Sequence, residues 1–131
     1  MLNKNVDSFA ITKKSRIKTP RLSLKEIKNG ILGPKYSLSL VFIGDTTSKK
    51  LNKKYRKINR PTNILSFPLS SNEGEILINL RKARDEAHLF DMSFRKFTAY
   101  LFIHGMLHLK GMQHGCTMNK KEIRLLRRYM D

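Results

Sequence analysis

Apolar positions recur along the chain with two periods, and the places where the period changes mark out its elements. Over residues 37–43 (Ser-Leu-Ser-Leu-Val-Phe-Ile) alternation passes into a continuous apolar run, which predicts a strand with at least one face buried. Gly44 and Asp45 end it. Thr46 or Thr47 can cap a following helix to about Ile58, in which Leu51, Tyr55 and Ile58 fall at i, i+4 and i+7 and are expected to face the core. Residues 61–63 (Pro-Thr-Asn) read as a turn, 64–67 as a short strand, and 75–78 as another, joined to it through 70–74 by a connection of hairpin length. A helix over 80–89 follows, with Ala83, Ala87 and Phe90 inward, and Asp91 or Ser93 is placed to cap the next one. From Thr117 a last helix presents Ile123, Leu126 and Met130 on one face. Upstream, 9–11 fits a strand, and 22–31 fits a weak helix carrying Leu24, Ile27 and Ile31. Most of the helical mass follows the strands, so the expected fold class is α+β: residues 1–131 as a single domain, with a small mixed β-sheet packed against several helices.

Segment 97–109 breaks the two-sided pattern, because it is apolar nearly all round (Phe97, Ala99, Tyr100, Leu101, Phe102, Ile103, Met106, Leu107, Leu109) and yet contains His104 and His108. A helix of that composition is buried on most sides. Residues four apart share a helix face, so the two imidazoles point to one place. Gly111 accepts a positive φ and can end the helix, after which a short turn returns His114 to the same place. A lone buried histidine is most often a satisfied core residue. Three converging ones need a common partner, since an unpaired buried polar group costs roughly 1–3 kcal/mol. Three neutral nitrogens suit one Zn²⁺ ion per chain, and three protein ligands leave a fourth position for water or substrate. Cys116, two residues beyond, could be a fourth ligand, but the residues after it read as a helix start that carries its side chain away, so it is expected to be a free thiol outside the ligand shell; His88 is expected at the surface or boundary. Zinc peptidases of the paired-histidine type place a glutamate base beside the first histidine. Here that position is Gly105, which argues against a peptidase.

Charge changes the picture further. Of 131 residues, 27 are Lys or Arg and 10 are Asp or Glu, a formal net charge of +17 that a polyanion would neutralise. The apolar share of 40% with 28% charged is that of a folded protein, so the excess belongs on a surface. Between Asp45 and Glu73 there is no acidic residue, while Lys49, Lys50, Lys53, Lys54, Arg56, Lys57 and Arg60 all fall there. Such a run is often only a solvated face; on a chain this basic it points to contact with a phosphate backbone, hence to RNA as partner. Arg56 can clamp a phosphate at two points, which a lysine cannot. The longest apolar run is shorter than the roughly 20 residues of a membrane span and His104 interrupts it, so no membrane is expected as partner. Residues 1–5 show no signal-type segment and Cys116 is the only cysteine, which together suggest a reducing, cytoplasmic location.

The block Leu51-Asn52-Lys-Lys-Tyr55-Arg56-Lys-Ile-Asn-Arg-Pro61-Thr62-Asn63-Ile64-Leu65-Ser66-Phe67-Pro68, followed by Gly74-Glu75-Ile76 and the H-x3-H-x5-H element, resembles the YbeY family of bacterial endoribonucleases from about residue 37 onward. The resemblance implies a zinc site at His104, His108 and His114, a functionally important Arg56, a cleft between helices and a small sheet, and a role in 16S ribosomal RNA maturation. Three positions differ from the usual family pattern: Glu75 stands in place of Asp, and Met112-Gln113 in place of an aromatic followed by Asp. Ser66 matches the family block but also suits a plain strand.

These readings converge on a zinc-dependent endoribonuclease acting on single-stranded RNA in ribosomal RNA maturation and ribosome quality control, with ribosomal RNA or its precursor, and ribosomal proteins, as expected partners. Arg56 is the expected catalytic residue; Lys49, Lys50, Lys53, Lys54, Lys57 and Arg60 are the expected RNA-binding residues. Two alternatives share the same residues: a ribosome-associated RNA-binding factor with a structural metal, and a metal-dependent small-molecule hydrolase.

Overall fold

A computed structural model describes residues 8–130; the expectation for residues 1–5 lies outside them. Four strands form one mixed sheet in the order β1-β2-β4-β3. β1 (Phe9–Lys13) and β4 (Glu73–Asn79) both run parallel to β2 (Ser37–Ile43), and β3 (Ile64–Ser70) is antiparallel to β4 as the outer arm of a hairpin. The pleat divides β2 between two apolar layers. Leu38, Leu40 and Phe42 join Ile76 and Ile78 on one face, while Val41 and Ile43 join Leu65 and Leu77 on the other. Burial on both faces explains why this strand reads as nearly continuous apolar sequence.

The larger layer takes α1 (Leu24–Ile31), α4 (Phe94–Leu109) and α5 (Cys116–Met130), together with α3 (Leu80–Glu86) and a 3₁₀ turn at Ala87–Phe90. The smaller layer lies under α2 (Asp45–Arg56), where Leu51 packs. α4 is the central helix, with Phe97, Phe102, Ile103, Met106 and Leu107 all fully buried. Ser93 caps it by accepting from the Lys96 amide at 3.1 Å, while Asp91, at φ 56°, closes the 3₁₀ turn before it. Gly105 is where α4 crosses the sheet: a Cβ there would stand 2.9 Å from Ile64 Cδ1 and 3.1 Å from Ile76 Cδ1. A glutamate at this position would point into the sheet. No helix of the described residues is long and apolar enough to cross a membrane.

Two helices bury faces other than those the apolar spacing predicts. α2 begins at Asp45 with Gly44 as its cap, in place of a Thr46 or Thr47 cap, and its fully buried residues are Ser48 and Asn52 rather than the Leu51, Tyr55, Ile58 stripe. The cause is the turn after the helix, which folds back beneath it. Ser48 Oγ donates to the Thr62 carbonyl at 2.7 Å and accepts from the Thr62 amide at 2.8 Å, and Asn52 Nδ2 donates to the Arg60 carbonyl at 2.9 Å. In α5 the buried residues are Met118, Glu122 and Leu126, and Ile123 is 53% exposed. One residue turns a helix by about 100°, so burying Glu122 rotates Ile123 outward. β3 runs beyond the expected 64–67, through Pro68, which an edge strand tolerates. The expected helix over 80–89 divides into α3 and the 3₁₀ turn, and Phe90 lies half-exposed with its ring 4.7 Å from that of Phe97.

Ser48 holds both backbone polar groups of Thr62, so Ser48→Ala leaves them without that partner. A loss of about 1–3 kcal/mol is expected from urea unfolding; an unchanged midpoint would show that the turn does not depend on this tie.

Candidate metal centre

α4 supplies His104 and His108 one turn apart on the face left free by the sheet. The helix ends at Leu109, Gly111 turns the chain at φ 90°, and His114 comes back with its Nε2 3.1 Å from His108 Nε2. One ring nitrogen from each histidine lies within 4.8 Å of the others. For comparison, metal–nitrogen bonds of about 2.0–2.1 Å in a tetrahedron set donors about 3.3 Å apart. The three expected ligands are therefore brought together as a set that can hold one ion. Cys116 is exposed at the start of α5 and outside the cluster; His88 is exposed in the 3₁₀ turn.

The remaining ring nitrogens decide which atoms are free to bind. His108 Nδ1 donates to the Met112 carbonyl at 3.1 Å, leaving Nε2 for the shared centre. His104 Nδ1 donates to the Glu122 carboxylate, which leaves its Nε2 likewise. Burial holds the His108 pKa below its ordinary value, and charge on His104 and His114 lowers it further. Both effects favour the neutral ring that binds metal.

Glu122 is the residue that hydrophobic patterning misses. It is 1% exposed in the middle of α5 and hydrogen-bonded by Tyr100, one turn before His104. Burial raises the phenol's pKa, and the Glu122 carboxylate raises it further, so Tyr100 stays a neutral donor. A carboxylate is buried at such a cost only when donors satisfy it, and a histidine whose second nitrogen binds metal is the partner that commonly does so. Gln113 is exposed in the turn, and the carboxylate that contacts the cluster is Glu122, on His104. The available signal was a lone Glu between Met118 and Leu126 on an apolar stripe.

The three histidines open onto a cleft of about 560 Å³ between α4, β3 and the end of α2, whose wall includes Tyr55, Arg56, Asn63, Ser66 and Phe67. No Asp or Glu of the described residues lines it. Ser66 Oγ donates to the Gly105 carbonyl at 3.0 Å, tying β3 to α4, and Glu75 accepts from Ser39 Oγ at 3.2 Å within the sheet. Arg56 and the six other cations of the basic run are exposed; Arg56 borders the cleft, and Lys49, Lys50, Lys53, Lys54, Lys57 and Arg60 do not line it.

Fold and site together define a protein with an open three-histidine centre beside a cation-flanked cleft. Comparison with known sequences sharpens this class: the family model described as endoribonuclease YbeY matches residues 3–130. This chain belongs to the YbeY family. An endoribonuclease YbeY of Clostridioides difficile is 33% identical over 100 residues, covering 68% of this chain and 65% of that protein. One of Thermodesulfovibrio yellowstonii is 39% identical over 105 residues, covering 74% and 64%. One of Clostridium botulinum is 33% identical over 131 residues, covering 80% and 75%. The chain thus spans under two thirds of the first two relatives' length. The fold is also that of a Thermotoga maritima protein solved in solution, with a TM-score of 0.66 at 24% identity over 91% of this chain and 87% of that one.

Glu122→Gln keeps the shape and removes the charge. Metal affinity, measured by competition with a chelator, is expected to fall about 10- to 100-fold, and His104→Ala, His108→Ala or His114→Ala each to abolish stoichiometric binding, while Cys116→Ser leaves it intact. Full binding by the His114 variant would contradict the three-ligand centre.

Proposed function

We propose that this chain is a zinc-dependent endoribonuclease that cuts single-stranded RNA during 16S ribosomal RNA maturation and ribosome quality control, in the cytoplasm, with ribosomal RNA or its precursor as substrate and ribosomal proteins as partners. The observation that carries the reading is the convergence of three imidazole nitrogens in a cleft that Arg56 borders. Membership of the YbeY family supports the reaction class, and +17 of net charge supports a polyanionic substrate.

The donor set fits zinc, which takes three neutral histidines and an open position in catalytic sites. When bound, zinc supplies a Lewis acid for a phosphoryl oxygen and lowers the pKa of coordinated water. The protein's own groups do the rest. His104 and His108 are held in their binding tautomers by Glu122 and the Met112 carbonyl. Arg56 offers its fork of donors to the scissile phosphate and to the charge that develops on it. Lys49, Lys50, Lys53, Lys54, Lys57 and Arg60 neutralise neighbouring phosphates without reading sequence. Gly105 lies against the sheet where a peptidase would carry its glutamate, which speaks against peptide hydrolysis.

Cleavage separates this reading from its rivals. Purified protein is expected to cut single-stranded RNA only when metal is present and to lose that activity in His108→Ala; a non-catalytic factor would bind RNA uncut, and a small-molecule hydrolase would show no salt-sensitive RNA affinity. In single-turnover assays Arg56→Ala is expected to slow cleavage on the order of 10²–10³ with little loss of binding, and Arg56→Lys to remain impaired. Parallel losses in rate and affinity would make Arg56 one more backbone contact. Replacing Lys53 and Lys54 together is expected to flatten the slope of log K against log salt by about one to two units; an unchanged slope would reduce this run to a solvated face.

A further inference from the structure

Tyr55 stands where its spacing does not send it. Heptad-like placement with Leu51 predicts burial, yet the ring is 55% exposed and forms part of the cleft wall beside Arg56. It is not loose. Its centroid lies 5.1 Å from that of Phe67, with the planes tilted by 59°, and Phe67 is itself half-buried against the apolar layer under α2. The ring is therefore braced by the sheet. The ring's exposure leaves it reachable from solvent, and Lys54 Nζ, 5.1 Å from the centroid, places a flexible cation beside it.

A braced, solvent-facing aromatic flanked by cations has a specific use with nucleic acid. Lysines and arginines bind phosphates of paired and unpaired strands alike. A base offers its flat face only when it has left the stack of a duplex, and aromatic side chains take it up with little regard to sequence. Tyr55 supplies that surface adjacent in sequence to the arginine and in the same cleft as the three histidines.

We propose that Tyr55, braced by Phe67, stacks on one unpaired nucleobase next to the phosphate held by Arg56, and so selects single-stranded RNA over duplex. This inference rests on the endoribonuclease reading and assigns its strand selectivity to one side chain. Stacking needs the ring and not the hydroxyl, so Tyr55→Phe retains it and Tyr55→Ala removes it. Because the side chain is more than half exposed, its truncation leaves the fold in place.

The test uses a 2′-O-methyl single strand of about twelve nucleotides, within the site sizes of single-strand binders, carrying 2-aminopurine, and a duplex of the same length. Wild type and Tyr55→Phe are expected to quench the 2-aminopurine and to prefer the single strand. Tyr55→Ala is expected to lose the quench and about 5- to 150-fold of single-strand affinity, the equivalent of one stacked base, with duplex affinity unchanged. Equal losses on both probes, or a retained preference in Tyr55→Ala, would overturn the stacking role while leaving the endoribonuclease reading standing. Absence of salt-sensitive binding to either probe by the wild type would overturn both.

Discussion

Burial of α4 is the constraint on which the rest of the structure depends. The helix lies between the sheet and four other helical segments, and its residues are apolar on nearly every side, so the two imidazoles it carries sit where unsatisfied polar atoms are costly. Each is held at its inner end. One nitrogen of each ring turns inward to a fixed acceptor, Glu122 for His104 and the Met112 carbonyl for His108, and the other faces the cleft. The cost of burial favours this arrangement, because the nitrogens turned inward have acceptors and the others meet at the cleft.

The same logic sets the neighbouring elements. Gly105 lets the helix approach β3 and β4 closely, and Ser66 fixes the strand to the helix at that level. β3 in turn carries Phe67, against which Tyr55 rests. Ser48 and Asn52 hold the turn that follows α2, so the end of that helix, with Arg56, stays at the cleft's edge. A chain of short-range packing and hydrogen bonds thus links the histidine cluster to the cationic helix.

Charge is distributed in a complementary way. Among the described residues, ion pairs gather around α3, where Arg81 pairs with Asp85 and with Asp45 at the start of α2, and Lys82 pairs with Glu86. None of the cations of α2 ion-pairs with a described residue, so their field is left for an external anion. Among the described residues, the carboxylate that contacts the histidines is Glu122, buried behind them, where it fixes the His104 ring without facing a phosphate in the cleft.

Much of this was legible in the sequence wherever a local rule acts alone. Two histidines at i and i+4, a glycine and a third histidine fix a converging set, because helix periodicity and a positive φ are properties of the backbone itself. The strand at 37–43, the hairpin after it and the all-round apolar helix follow from period and length in the same way. What patterning could not decide was which face of an amphipathic helix meets which neighbour. Ser48 and Asn52 are buried because a distant turn needs their polar groups, Glu122 because a histidine 18 residues upstream needs its charge, and Tyr55 is left outside because α2 rotates to satisfy that turn. Hydrophobicity ranks residues by their cost in water; only the tertiary structure says which polar atoms find a partner out of it, and that decided the buried carboxylate behind the histidines and the aromatic wall of the cleft.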